Sequence, residues 1–235
     1  MEKLAYLVWD DDDDKRSDAA RDGFRDRLLG ELPGALGRAS AERLKVCVTD
    51  EAVSSGASLH LGAHAPDALV TFWLECCQDR GPAEAALDAI VARHAGYLVA
   101  ESHPLRIDSP AGDLGQRMPG FTLVGCIEPI DGISRHDFMR QWESVHRDVA
   151  IDVQSTFSYV RNEVVRPLTE GAPDWWGIVE EGFPTEALTT PHAFYDAVGD
   201  EAKFRRNLKA MMDSCNAFLS VKKVDSHPMS EYRFF

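Results

Sequence analysis

One pattern constrains this chain more than any other. The same order of elements occurs twice, on either side of a proline- and glycine-rich stretch. In the first half, residues 3–9 (KLAYLVW) form a short apolar run rich in β-formers and read as a strand. Residues 19–32 read as a helix with Phe24, Leu28 and Leu32 on one face, ended by Pro33-Gly34. Residues 42–49 and 67–77 read as strands, separated by a loop over 53–66. Gly81-Pro82 opens a second helix, 83–93, and residues 97–103 form a fourth strand. The second half repeats this order. Strands are expected over 121–127, 155–166, 175–183 and 219–225, a helix over 134–151, and a helical stretch over 191–218 broken near Gly199.

The fold class is therefore α+β, built from two βαββαβ units. Each unit is expected to be an antiparallel sheet with both helices on one face, which leaves the other face bare. Two such units can cover each other's bare faces and close one barrel-like core. Two sheets packed through other faces satisfy the same strand list. The boundaries are residues 1–106 for the first repeat, 107–120 for the linker (Pro110, Gly112, Gly115, Pro119, Gly120) and 121–235 for the second.

Composition narrows the partners. The formal net charge is -14, which argues against nucleic acid and anionic membranes. No apolar run is long enough to span a bilayer, and the N-terminal residues lack a basic region ahead of their apolar run. The expectation is a cytoplasmic protein. Cys47, Cys76, Cys77, Cys126 and Cys215 are odd in number and lack CxxC spacing, against a disulfide framework or a zinc site. Asp10–Asp14 matches no calcium loop and reads as a solvated connection. His60, His64, His94, His103, His136, His192 and His227 show no metal-binding spacing. Nucleotide loops and an esterase elbow are missing. No metal or nucleotide cofactor is expected.

Within the second repeat, SRHDFMRQWESVH (134–146) places Phe138, Trp142 and His146 at i, i+4 and i+8 of one helix. Two bulky apolar residues turn that face inward and carry the imidazole with them. Histidine has the unperturbed pKa suited to proton exchange near neutrality. The bland alternative is a histidine near a helix C-terminus, favoured there by the macrodipole.

The second half resembles the EthD family of the dimeric α+β barrel, or ferredoxin-like, superfamily. The resemblance rests on the Phe–x3–Trp–x3–His helix, on YVRNEV (159–164), on WGIVEEGFPTEALTTP (176–191) and on KFRRNLKAMMD (203–213). It covers about residue 120 to 235, and the first half matches only at superfamily level. It implies proton transfer by His146, with Trp142 beside it and no metal or organic cofactor. The family often has an acid before the third-strand glycine, whereas Trp176 precedes Gly177 here. The first repeat keeps the packing of the helix motif and loses its titratable group. One site per chain is expected.

The function implied is a cofactor-independent lyase or isomerase acting on a small aromatic, polycyclic or lactone substrate. His146 would be the acid–base group, with Tyr159 and Glu180 as further catalytic candidates. Trp142, Arg161 and Trp176 would line the substrate site. Asp148, Asp152 or Glu180 would orient the imidazole. If Tyr159 and Arg161 face the barrel interior, they offer a phenol and a cation to an enolate or carboxylate. Glu180 is expected to share a face with Trp176 and to have its pKa raised by burial. The alternatives are a cofactor-free monooxygenase forming quinones, and a non-catalytic binding or assembly protein. A homodimer is compatible with either repeat pairing further.

Overall fold

The computed structural model describes residues 1–10, 17–56, 65–107, 114–220 and 224–235. Its elements follow the order β1 (Glu2–Trp9), α1 (Asp18–Arg38), β2 (Glu42–Val48), β3 (Ala68–Leu74), α2 (Gly81–Asp88) and β4 (Arg93–Leu105). The second repeat follows as β5 (Phe121–Ile127), α3 (Arg135–Arg140), a π-helical turn (Gln141–His146), α4 (Arg147–Val153), β6 (Ser158–Pro167), β7 (Gly177–Phe183), α5 (Pro191–Phe194), α6 (Glu201–Asn216) and β8 (Asp225–Arg233).

The strands close into one barrel in the order β1-β3-β2-β8-β5-β7-β6-β4. Within it each repeat keeps the same internal order, β4-β1-β3-β2 and β8-β5-β7-β6. Every neighbouring pair is antiparallel, and two seams, β2–β8 and β4–β6, join the repeats. The strand edges that each half would leave open are thereby paired. Alternate strand residues point into the barrel or out toward the helices. In β1, Ala5, Leu7 and Trp9 join the interior cluster, while Leu4, Tyr6 and Val8 join the helix-side cluster. Both faces are buried, so β1 reads as an unbroken apolar run.

Several boundaries differ from expectation. Helix α1 runs through Pro33 to Arg38, because its apolar stripe continues with Leu36, which is fully buried beside Leu28 and Leu32. Helix α2 ends at Asp88, and the chain then enters β4 at Arg93. The last strand is Asp225–Arg233, not 219–225; part of that expected span, 221–223, lies outside the described residues. Its sequence, DSHPMSEYR, looks like a loop but is buried along nearly its whole length. Its polar groups have partners. Asp225 faces His227 at 3.0 Å, Ser230 donates to Asp50 at 2.8 Å, and Glu231 accepts from Thr122 at 2.9 Å. Pro228 sits beyond the last β2 pair, Val48 with Ser230, so its missing N–H removes no bond from that seam. Residues 11–14 of the acidic run, 57–64 of the 53–66 stretch and 108–113 of the 107–120 stretch lie outside the described residues. Among the described residues no helix is long and apolar enough to cross a membrane.

Candidate active site

The helix carrying Trp142 and His146 is held at its start by Ser134, whose hydroxyl accepts from the Asp137 amide at 3.0 Å. Along an α-helix, residues four apart drift round the axis by roughly 40°. Over two such steps Phe138 and His146 would diverge. The π-helical turn at 141–146 counters this, since its i→i+5 bonds hold more residues per turn. Phe138, Trp142 and His146 consequently all stay buried on one face. Arg161 donates to the Trp142 carbonyl at 3.3 Å and lies 5.7 Å from the Trp142 ring. A second fit locks this turn to the sheet. The Trp142 ring lies so close to Gly177 that a β-carbon there would clash with it.

Beneath this turn, between it, α6 and the outer face of the second repeat's sheet, lies a pocket of about 210 Å³. Its wall is mostly apolar: Leu123, Ile127, Trp142, Val179, Met211 and Leu219 among others. The polar groups reaching it are His146, Tyr159, Glu181, Gln154, Tyr195 and Ser226.

His146 Nδ1 lies 3.0 Å from Ser214 Oγ, and its ring packs at 5.0 Å on Phe218. Burial, together with the Arg161 cation, lowers its pKa to about 4. It is therefore a neutral imidazole at ordinary pH. With Nδ1 occupied by the serine, Nε2 is the nitrogen left for other work. The Tyr159 hydroxyl accepts from Trp142 Nε1 at 2.9 Å. Its pKa is raised, chiefly by burial, so it stays a protonated phenol able to donate. Glu181 stands across the ladder from both Leu123 and Tyr159. It makes no hydrogen bond or ion pair among the described residues, and burial raises its pKa to about 7. The carboxyl, rather than the imidazole, thus titrates near neutrality. The Gln154 side-chain oxygen is buried and has no hydrogen-bond partner among the described residues.

Of the six candidates from sequence, the structure gathers His146, Trp142 and Tyr159 around this pocket. The other three lie elsewhere. Arg161 does face the helix layer alongside Tyr159, not the barrel interior, but its guanidinium is committed to the Trp142 carbonyl and to Ser102 Oγ at 3.1 Å. Trp176 packs edge-on against Phe138 at 5.2 Å under Arg135, away from the pocket. Glu180 points into the barrel, not to the face of Trp176. It lies 2.5 Å from Lys45 and 3.6 Å from Lys3, and Asn162 donates to it at 2.9 Å. Burial alone would raise its pKa; the two lysines outweigh that and hold it down, at about 2. The expected upward shift belongs to its neighbour. The parity error has a local cause: strand β7 begins at Gly177, so alternation does not extend back through Trp176. Counting from the glycine under Trp142 would have put 177, 179 and 181 on the helix side. The imidazole's orienting partner is Ser214, while Asp148 pairs with Arg147.

Among the described residues no cluster of three or more His, Cys, Asp or Glu is arranged to hold a metal ion.

This closed ring of two βαββαβ units is the dimeric α+β barrel fold, formed here within one chain. An anthrone oxidase-like protein shares it at a TM-score of 0.56 and 10% identity, over 99% of this chain and 92% of the other. The chlorite dismutase of Candidatus Nitrospira defluvii, in complex with imidazole, is looser at 0.49, with 10% identity over 97% of this chain and 91% of the other. No curated protein matches the chain in sequence. Within the fold, residues 130–219 match the model of the EthD domain. The matched span holds the helix that carries Trp142 and His146, β6, β7 and the helices up to Leu219.

Proposed function

We propose that the pocket beneath Trp142 is the active site of a cofactor-independent lyase or isomerase acting on a small aromatic, polycyclic or lactone substrate. One observation carries this reading. Two titratable groups, His146 and Glu181, share an apolar pocket whose burial pushes their pKa values in opposite senses, to about 4 and about 7. In the proposed reaction His146 Nε2 takes a proton from carbon next to a carbonyl. The Tyr159 phenol donates to the oxygen on which charge collects. In an isomerisation the proton returns to a different carbon. In a dehydration Glu181, in its acid form, protonates the departing hydroxyl, which leaves as water. Trp142 offers its flat face to the substrate ring. The pocket volume favours one or two rings over larger polycycles.

Exchange of the acidic methylene protons of 2-tetralone in deuterated water, followed by proton NMR, isolates the first step. The protein should accelerate exchange, and His146→Gln should abolish the acceleration. Equal rates in the two proteins would overturn the assignment.

A second reading, a cofactor-free oxidase of aromatic substrates, draws support from the anthrone oxidase-like neighbour. It begins with the same proton removal and diverges when oxygen meets the carbanion. Oxygen uptake during turnover separates the two.

A further inference from the structure

A second cavity, of about 630 Å³, opens at one mouth of the barrel, on the face of the sheet away from the helices. Both repeats build it: Arg43 and Lys45 come from β2, Glu101 from β4, Glu180 from β7, and Glu231 and Arg233 from β8. Its character is the reverse of the apolar pocket. Most of its charges are already matched. Glu180 takes Lys45 and Lys3, Glu101 takes Lys3 and His103, and Arg233 lies 2.6 Å from Glu231.

Two cations in the wall are left over. Arg43 and Arg106 make no hydrogen bond or ion pair among the described residues. Arg43 is held in an uncommon way. It has a φ of 54°, which residues other than glycine rarely adopt, at the register shift between Glu42 and Lys45. Its guanidinium lies 5.6 Å from the Trp73 ring, which also lines the cavity. Arg106 directly follows β4. Around the ring, β2 and β4 are three ladders apart, through β3 and β1. The ladder sets Glu42, Trp73, Lys3 and Val99 level with one another, and Arg106 lies seven residues beyond Val99 along the chain, so the two arginines are offset along the strands as well as across three ladders. They therefore approach the opening from separate points rather than as one cluster.

We propose that the barrel mouth binds a small dicarboxylate, with one carboxylate taken by each guanidinium and the organic body lying across the opening beside Trp73. A guanidinium fork matches a carboxylate in two parallel hydrogen bonds, and two forks at separate points select for two separated acid groups. The proposal does not depend on the reaction assigned to the apolar pocket.

Isothermal titration of the full chain with succinate, glutarate and terephthalate, against acetate and chloride, tests it. At least one diacid should bind saturably, about tenfold or more tighter than acetate. Arg106→Gln and Arg43→Asn should each weaken it about tenfold, asparagine being tolerant of the backbone angle at that position. Arg43→Lys should weaken it less, and His146→Gln should leave it unchanged. No saturable binding of any diacid, acetate binding as well as the diacids, or wild-type affinity in Arg106→Gln would each overturn the proposal.

Discussion

The two repeats share the pairing of their central strands, β1 with β3 and β5 with β7, position for position, and differ in what they hang on it. In the first, Tyr6 faces Gly96 on one side and Val70 on the other; in the second the equivalent residue is Gly125, between Ser226 and Val179. Leu4 pairs with Phe72, and Leu123 pairs with Glu181. Tyr6 and Phe72 stack in parallel at 5.5 Å and fill the space under α1. Their counterparts, a glycine and a carboxyl, leave that space open under the π-helical turn. The helix above changes in step, from Phe24, Leu28 and Leu32 to Phe138, Trp142 and His146. A hollow thus arises from two strand positions and two helix positions, with the pairing of the central strands untouched. The first repeat is what the second would be with its pocket packed shut.

The comparison can be broken by closing the hollow. A β-carbon at Gly125 would meet only Val179 and Ser226, at 3.8 and 4.0 Å, so a larger side chain has nowhere to go but the pocket. Gly125→Phe should fold, with an unchanged circular dichroism spectrum, and lose all acceleration of 2-tetralone exchange. His146→Gln leaves the hollow and removes the base; the exchange rate should fall by about 10²–10⁴-fold. The converse change opens the packed repeat. Phe72→Ala should cost about 3–5 kcal/mol in denaturant unfolding, with exchange per folded molecule unchanged. A parallel loss of activity would mean the repeats are functionally coupled.

The smallest effects concern pH, and they run in opposite directions. Glu181 binds its proton more tightly folded than unfolded, so its contribution is full below about pH 4.5 and is lost as pH rises through about 7. His146 binds its proton less tightly when folded, so its contribution is lost as pH falls from about 6.5 through about 4. Melting temperatures between pH 4 and 7.5 should show a fall that Glu181→Gln removes and a rise that His146→Gln removes. A carbon-13 titration of the Glu181 carboxyl with a midpoint near 4.5 would dismiss its proposed role.

Much of the architecture was legible in the sequence. The doubled element order and the glycine break after α5 both depend on local signals that the fold leaves intact. So did the inward turn of Phe138, Trp142 and His146, although the π-helical turn that preserves it over eight residues left no mark that periodicity could detect. Strand β8 was missed because its burial is polar and rests on partners distant in sequence, Asp50 and Thr122 among them. Glu180 was chosen over Glu181 because alternation was counted from Trp176, one residue before the strand begins. No count along a single strand could supply Lys3 and Lys45, which reach Glu180 from the other repeat. The signal that would have found Glu181 was the internal repeat itself: aligning β3 with β7 sets a carboxyl where the first copy has a phenyl ring.

The seam between β2 and β8 has a consequence for how the molecule is made. Its second strand is the last of the barrel's eight along the chain. The N-terminal repeat therefore leaves the ribosome with β2 and β4 bare along their outer edges, and β2 must wait for almost the entire remaining chain. Until then it is a template for any passing strand. In the cell this protein should lean on chaperones during synthesis far more than its finished, edgeless ring would suggest.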